Sequence, residues 1–337
     1  MKIVKNVSLQ PHNTFGIARL ASNFVAVKEE EELLEALDFA KANKLPIFIL
    51  GGGSNILITK DIEGLVIKIA IKGINKLEEN QDEIFVEVGA GEVWHDFVLY
   101  AISQGWGGVE NLSLIPGTVG ASPMQNIGAY GVELKEVFHQ LHAIEIETLE
   151  RKTFDGKSCQ FGYRDSIFKQ WAKGRYIITS VTFRLWKNPS FNIEYGAIKK
   201  TLEEEGVHQL NLEAISKAVI KIRQSKLPDP REVGNAGSFF KNPVIPNEKF
   251  ELLKKDYPDI PGFPQSDGIK IPAAWLIEQA GWKGKRFGQV GVHPKQPLVL
   301  VNYGNADGSA IETLGREISK DITEKFGINL HPEVNIL

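Results

Sequence analysis

One serine in this sequence keeps unusual company. In Gly234-Asn235-Ala236-Gly237-Ser238-Phe239-Phe240-Lys241-Asn242-Pro243 a small-residue turn leads into Ser238, two aromatics follow it, and Lys241 and Asn242 come next. Small residues let a backbone approach a ligand closely. The two rings can wall out water, so that a single hydroxyl delivers a proton under control. A nucleophilic role is disfavoured: no Gly-x-Ser-x-Gly elbow surrounds Ser238, since Phe240 stands at plus two. No His near it in sequence makes an obvious base either.

Other segments carry chemistry-bearing types. Gly51-Gly52-Gly53-Ser54-Asn55 follows an apolar run and offers bare N–H groups and side-chain donors to a phosphate. A tight strand-exit turn is the alternative reading. It has neither the Lys of a P-loop nor the spacing of G-x-G-x-x-G. Ile115-Pro116-Gly117-Thr118-Val119-Gly120-Ala121, continued by Gln125-Asn126-Ile127-Gly128-Ala129-Tyr130-Gly131, would let a flat polar heterocycle lie against backbone. The alternative is a glycine-rich structural loop. Tyr163-Arg164-Asp165-Ser166 presents a guanidinium that can fork onto a carboxylate or simply pair with Asp165. Arg223 and Lys226 can hold a diphosphate or stand as solvated charge matched to a helix dipole. In His331-Pro332-Glu333-Val334 one acid sits beside a proline-fixed turn, or is an exposed acid on a terminal strand.

The elements that must position these residues read as follows. Helical spacing predicts helices over Glu29–Lys44, Val93–Ser103, Glu213–Lys226, Pro272–Ala280 and from Ser309 onward, the last with capping-box spacing through Glu312. Strand texture marks Leu45–Leu50, Ile56–Ile58, Leu65–Ile67, Ile84–Val88, Ala143–Thr148, Ile177–Leu185 and Pro297–Val301. Asn111 to Gly131 has neither period and reads as a long functional loop. Trp94, Trp106, Trp275 and Trp282 read as core or wall residues. Mixed order without strict βαβ alternation argues for α+β. The three glycine- or serine-bearing segments could converge on a cleft.

Length and composition bound the function. At 337 residues the chain is too long for one small core. A formal net charge of -3 gives no basic field for nucleic acid and no polybasic membrane anchor. The single cysteine, Cys159, cannot form an intramolecular disulfide, which fits a reducing cytoplasm. The scattered histidines show no metal-ligand spacing. The basic N-terminus is interrupted before any signal-peptide core forms, and no apolar run is long enough to span a bilayer.

Taken together, Gly51–Asn55, Ile115–Gly131, Tyr163–Ser166, Lys226-Leu227-Pro228-Asp229-Pro230, Gly234–Pro243 and Pro332-Glu333-Val334 resemble, in order and over nearly the whole chain, the UDP-N-acetylenolpyruvoylglucosamine reductase family of flavin enzymes in bacterial cell-wall precursor synthesis. The length and Tyr195 in Phe191-Asn192-Ile193-Glu194-Tyr195-Gly196 match its longer subtype, whose extra loop folds over substrate. The resemblance implies a two-subdomain FAD-binding fold of the vanillyl-alcohol-oxidase type plus an α+β substrate-binding domain. The expected regions are 1–70, with 328–337 returning to it, then 71–227 and 228–327. It implies FAD as cofactor, NADPH as co-substrate, a UDP-sugar substrate, no protein partner and no metal.

By similarity, FAD contacts fall on Gly51, Gly52, Gly53, Ser54, Asn55, Ile115, Pro116, Gly117, Thr118, Gly120, Ala121, Gln125, Asn126, Gly128, Ala129, Tyr130 and Gly131. Catalytic positions fall on Arg164, Ser238 and Glu333, and substrate contacts on Tyr195, Lys226 and Asn242. Hydride then goes from flavin N5 to C3 of the enolpyruvyl group. Arg164 stabilises the charge that builds into the carboxylate, and Ser238 protonates C2 with Lys241 or a water to polarise it. Glu333 is either protonated or orients Arg164. The sequence departs from the pattern at Asn335, where many relatives carry Arg, and at Leu114, where many have Gly. An FAD-dependent oxidase of another sugar, or a non-catalytic flavin or nucleotide-sugar binder, are the competing readings. The serine motif, Tyr195 and the Lys226 segment weigh against the oxidase, and the full set Arg164, Ser238 and Glu333 weighs against the binder.

Overall fold

The computed structural model describes residues 1–337, the surroundings of Gly196 excepted. Helices and strands are mixed along the chain in an α+β order. The chain divides into two compact units, one of residues 1–7, 21–52 and 63–225, the other of 8–20, 53–62 and 226–337. Among the described residues no helix is long and apolar enough to cross a membrane.

The first unit is built on two sheets. One has the strand order Val4–Ser8, Leu20–Val27, Ile62–Ile69, Ile47–Leu50. Its last two strands are parallel, with Ile47 opposite Leu65, and the helix Glu30–Ala42 precedes Ile47–Leu50. That helix buries Leu33, Ala36, Leu37 and Ala40, a spacing of threes and fours that puts them on one face. Glu30, Glu31 and Glu32 lie at its positive end and Lys41 in its last turn.

The other sheet is antiparallel, in the order Arg151–Asp155, Phe138–Glu145, Tyr176–Trp186, Glu83–Gly89, Ile74–Glu79. Val86 faces Phe183 and Val88 faces Val181 across its centre. The Phe97 ring stacks on Phe183 at 4.8 Å, and Trp94 meets both edge-on at 5.8 Å. Trp94 is therefore a core residue, and its indole N–H donates to Leu112 O at 2.9 Å, tying the core to the loop that follows. The helices Gly196–Glu204 and Leu212–Lys226 form a satellite core around Ile198, Leu202, Ile215, Val219 and Ile222, with Tyr130 packed against it.

Two expectations change here. The strand expected at Ala143–Thr148 runs instead over Phe138–Glu145 and ends in a turn, where Leu149 N–H returns to Glu145 O and Leu149 takes φ +61°. The segment Asn111–Gly131 is ordered by short 3-10 turns at Glu110–Leu112, Val119–Ala121 and Pro123–Gln125, and by a pairing of Gly128–Ala129 with Val132–Glu133.

In the second unit the helix Gly308–Phe326 buries Ile311, Leu314, Ile318, Ile322 and Phe326 in a core shared with the meander Arg286–Phe287, Val290–Val292, Leu300–Asn302. Its N-cap is Asp307, whose carboxylate accepts the Ser309 N–H, so Ser309 is not the cap of a capping box. The strand expected at Pro297–Val301 is Leu300–Asn302, and Val299 still bridges to Ser238. The C-terminal strand Asn335–Ile336 pairs parallel with Ile56–Leu57.

Candidate functional site

In the first unit the two glycine segments meet backbone to backbone. A Cβ on Gly51 would lie 2.9 Å from Thr118 Oγ1, and one on Gly52 would lie 2.9 Å from Gly117 Cα. The loop is laid along the preceding strand exit. Trp94 N–H donates to Gly117 O, Val119 N–H to Glu92 O, and Gly120 N–H to Ala90 O. Gly117 takes φ +110°, a conformation that side chains avoid. Only side-chain-free residues allow this approach, and the product is a thin wall of peptide groups of the kind that takes up phosphate and a flat ring.

Arg164 is fastened to that loop. Gly162 and Asp165 exchange backbone hydrogen bonds, closing a tight turn with Arg164 near its tip at φ +53°. Three further bonds pin the turn: Asn126 Nδ2 to Gly162 O at 3.0 Å, Ser166 Oγ to Met124 O at 2.7 Å, and Arg164 Nη2 to Gly128 O at 2.6 Å. Asp165 does not pair with Arg164. Its carboxylate accepts from Ser166 N–H and Gln170 Nε2. The surface-pair reading of Arg164 is therefore replaced by a bond to the glycine-rich loop.

Arg223 lies near Arg164, and Tyr130 and Tyr195 cluster with Arg223. The Tyr130 and Tyr195 rings meet edge-on at 5.5 Å. Asn111 Nδ2 clasps their two segments, donating to Tyr130 O at 3.0 Å and Asn192 O at 2.8 Å. Burial raises the Tyr130 hydroxyl pKa, with Arg223 pulling the other way. Burial lowers the Arg223 pKa; Tyr130 opposes that and Arg164 adds to it. Arg223 Nε is buried with no hydrogen-bond partner among the described residues. The solvated-charge reading of Arg223 is thus replaced. Two guanidiniums and a phenol lie near one another at the end of a glycine-rich loop, an arrangement that calls for an anion. An FAD, with its diphosphate and flat ring, fits these residues.

Several expected ligand residues use their amides locally. Asn126 is fully buried. Its Nδ2 donates to Glu133 and Gly162, and its Oδ1 accepts Lys135 N–H, so its backbone is what it can offer a cofactor. Gln125 Oε1 accepts from Lys169 Nζ at 3.4 Å.

The second unit carries the serine. Gly234–Lys241, bent at Gly237, runs between two partners. Asn302 N–H donates to Gly234 O and Phe239 N–H to Leu298 O on one side; Glu333 N–H donates to Phe239 O and Lys241 N–H to His331 O on the other. Ser238 and Glu333 are thereby set on neighbouring backbones. A Cβ on Gly234 would lie 2.3 Å from Phe15 O, and Gly237 takes φ +70° just before the serine. Phe239 and Phe240 do not wall the hydroxyl in the expected way. Both are 2% exposed core residues, and the Phe239 ring fills the space over Gly315 of the last helix.

Asn242 Oδ1 accepts Ala273 N–H at 2.9 Å and so caps the helix Ala273–Gln279, leaving Nδ2 for a ligand. Lys226 is exposed at the end of the helix Leu212–Lys226. Gly53 takes φ +65° against His12 O, and Thr14 N–H donates to Gly53 O. Asn55 Nδ2 reaches Glu333 O at 3.3 Å, and Asn55 O accepts both N–H and Nδ2 of Asn335. Asn335, at a position of departure, thus ties the segment following Glu333 to Asn55.

Sequence comparison agrees with this layout. Residues 21–149 match a family model described as FAD binding domain. Residues 229–337 match one described as UDP-N-acetylenolpyruvoylglucosamine reductase, C-terminal domain. Proteins named UDP-N-acetylenolpyruvoylglucosamine reductase from Flavobacterium johnsoniae and Amoebophilus asiaticus are 52% and 53% identical to the chain, each over 100% of both sequences. One from Pseudomonas putida is 50% identical over 98% of both. The fold is shared with the UDP-N-acetylenolpyruvylglucosamine reductase of Thermus caldophilus (TM-score 0.69, 23% identity, 100% of this chain and 99% of that one). It is shared more distantly with 6-hydroxy-D-nicotine oxidase from Arthrobacter nicotinovorans (TM-score 0.54, 11% identity, 97% and 86%). The chain, with its FAD-binding domain and its reductase C-terminal domain, belongs to the UDP-N-acetylenolpyruvoylglucosamine reductase family.

Proposed function

We propose that this chain catalyses the reaction its family is named for, the NADPH-dependent reduction of UDP-N-acetyl-3-O-(1-carboxyvinyl)-glucosamine to UDP-N-acetylmuramate, in the cytoplasm, for peptidoglycan precursor synthesis. Bound FAD would supply the hydride chemistry between NADPH and C3 of the enolpyruvyl group. Everything else falls to the chain. The peptide groups of Gly51–Asn55 and Ile115–Gly131 hold the cofactor. Arg164 binds the substrate carboxylate and stabilises the charge that develops there, with donors already in place. Ser238 gives its proton to C2 of the resulting enolate. Glu333, braced through Phe239 O and Asn55, completes the catalytic set. Tyr195, Lys226 and Asn242 hold the UDP-sugar.

The observation that carries this reading is the fastening of the Arg164 turn to the glycine-rich loop at Met124, Asn126 and Gly128. It supports the reading because the Arg164 guanidinium is held against Gly128 O, in the loop to which we assign the flavin. The test is anaerobic stopped-flow in two half-reactions. NADPH should bleach the bound flavin, and the enolpyruvyl nucleotide sugar should restore it. Flavin reduced by a plain sugar would favour an oxidase instead. Protein that cannot be loaded with FAD would remove the reading altogether.

A further inference from the structure

We infer that His95 is a positioning residue for the FAD-binding loop: its Nδ1 accepts the Leu114 N–H and holds the left-handed turn from which Ile115–Pro116–Gly117 leaves. The inference rests on the proposed role of that loop in holding FAD.

The bond is 2.9 Å long. Because Leu114 N–H is the donor, Nδ1 must be bare, and the ring proton sits on Nε2. Leu114 has φ +59°. A branched side chain in that region is disfavoured roughly tenfold over the ordinary helical region, so something must hold it there.

The flanking residues are fixed otherwise. Ser113 Oγ bonds Glu110 O at 2.6 Å and Ser216 Oγ at 2.8 Å. Gly117 O accepts Trp94 N–H. Among the described residues, the hydrogen bond that ties down the span between those anchors is the one from Leu114 to His95. The imidazole rides on the first turn of the helix Trp94–Ser103, whose neighbouring Trp94 and Phe97 are locked into the core. The latch therefore transmits the rigidity of the core to the mouth of the loop.

The same geometry makes the latch pH-sensitive. The charged groups acting on His95 are Asp96 on its own helix and Arg223 on the helix Leu212–Lys226. Burial lowers the imidazole pKa; Asp96 opposes this and Arg223 reinforces it. The neutral ring is thus the native form. On acidification the unfolded chain takes up the proton first, near its ordinary pKa of about 6.5. The stability the neutral ring confers is complete above that value and is lost as the pH falls through the lower native pKa. A protonated Nδ1 can no longer accept, and it would also face the Arg223 charge.

Three variants test this: His95→Ala, His95→Asn and Leu114→Gly, with FAD affinity measured by titrating apoprotein. His95→Ala should weaken FAD binding about tenfold at neutral pH. His95→Asn, whose Oδ1 can replace Nδ1 but does not titrate, should keep near-native affinity. It should also lose the extra weakening expected of the wild type as the pH falls below the ordinary imidazole value of about 6.5. In a Leu114→Gly background, where the left-handed turn carries no steric cost, His95→Ala should change affinity less than about threefold. Native affinity in His95→Ala would overturn the inference alone. So would a full loss persisting in the Leu114→Gly background, or an unchanged acid profile in His95→Asn. A wild type that does not bind FAD would overturn the proposed function with it.

Discussion

Arg164 combines three features that rarely coincide without a use. Its backbone is left-handed, its guanidinium donates to a carbonyl of the glycine loop, and it lies close enough to a second guanidinium, Arg223, to help lower that group's pKa. Strain and like-charge proximity persist where the surroundings over-determine them, typically at functional sites. Arg164→Lys keeps the charge but loses the planar fork whose separate nitrogens can serve Gly128 O and a carboxylate in fixed geometry. Flavin reoxidation by the enolpyruvyl substrate should slow by roughly 10²-fold, while reduction by NADPH stays within about twofold. A variant slowed equally in both steps would make Arg164 a structural residue. Asn126 and Asn242 show the limit of reading residues by type. The Asn126 amide braces the loop from inside, which leaves only its backbone for a cofactor, whereas Asn242 caps a helix with Oδ1 alone and keeps Nδ2 for another partner.

At the scale of elements, the last helix is stabilised at its start by Asp307, which accepts the Ser309 N–H and pairs with Arg19. The Ser309 backbone bond, with the Ser309 hydroxyl and Arg19 adding to it, lowers the Asp307 pKa. The sign follows. The carboxylate's contribution is present above the unfolded-state pKa and is lost as the pH falls through the lower native one. Asp307→Ala should cost about 1 kcal/mol at neutral pH by denaturant unfolding, and the gap from wild type should close in acid. A gap that is constant with pH would remove the charge from the account.

Helices such as Glu30–Ala42 and Trp94–Ser103 were legible because their apolar spacing is local. The start of Phe138–Glu145 was not, because the polar residues His139, Gln140 and His142 break its apolar texture. The cap was misplaced because Asp307 and Ser309 both offer a side-chain oxygen, and only geometry shows which one accepts. The order inside Asn111–Gly131 depends on partners far away in sequence, Gly162 and Ser166, and the burial of Arg223 on Tyr130. No local pattern records those.

At the scale of the whole molecule, the chain is interleaved. Residues 8–20 and 53–62 belong with the C-terminal unit, and the terminal strand pairs with Ile56–Leu57. The motifs were readable one by one, whereas this interleaving is a product of long-range pairing. It also explains why one glycine run is shared, with Gly51 and Gly52 in one unit and Gly53 onward in the other. The proposed chemistry assigns Arg164 from the first unit and Ser238 from the second to the same half-reaction. The measurement that tests this most directly is stopped-flow of Ser238→Ala with each half-reaction followed separately. NADPH should reduce its flavin at close to the wild-type rate, and reoxidation by the enolpyruvyl nucleotide sugar should fall by roughly 10²–10⁴-fold. Reoxidation at the wild-type rate would contradict the assignment of Ser238 as the proton donor.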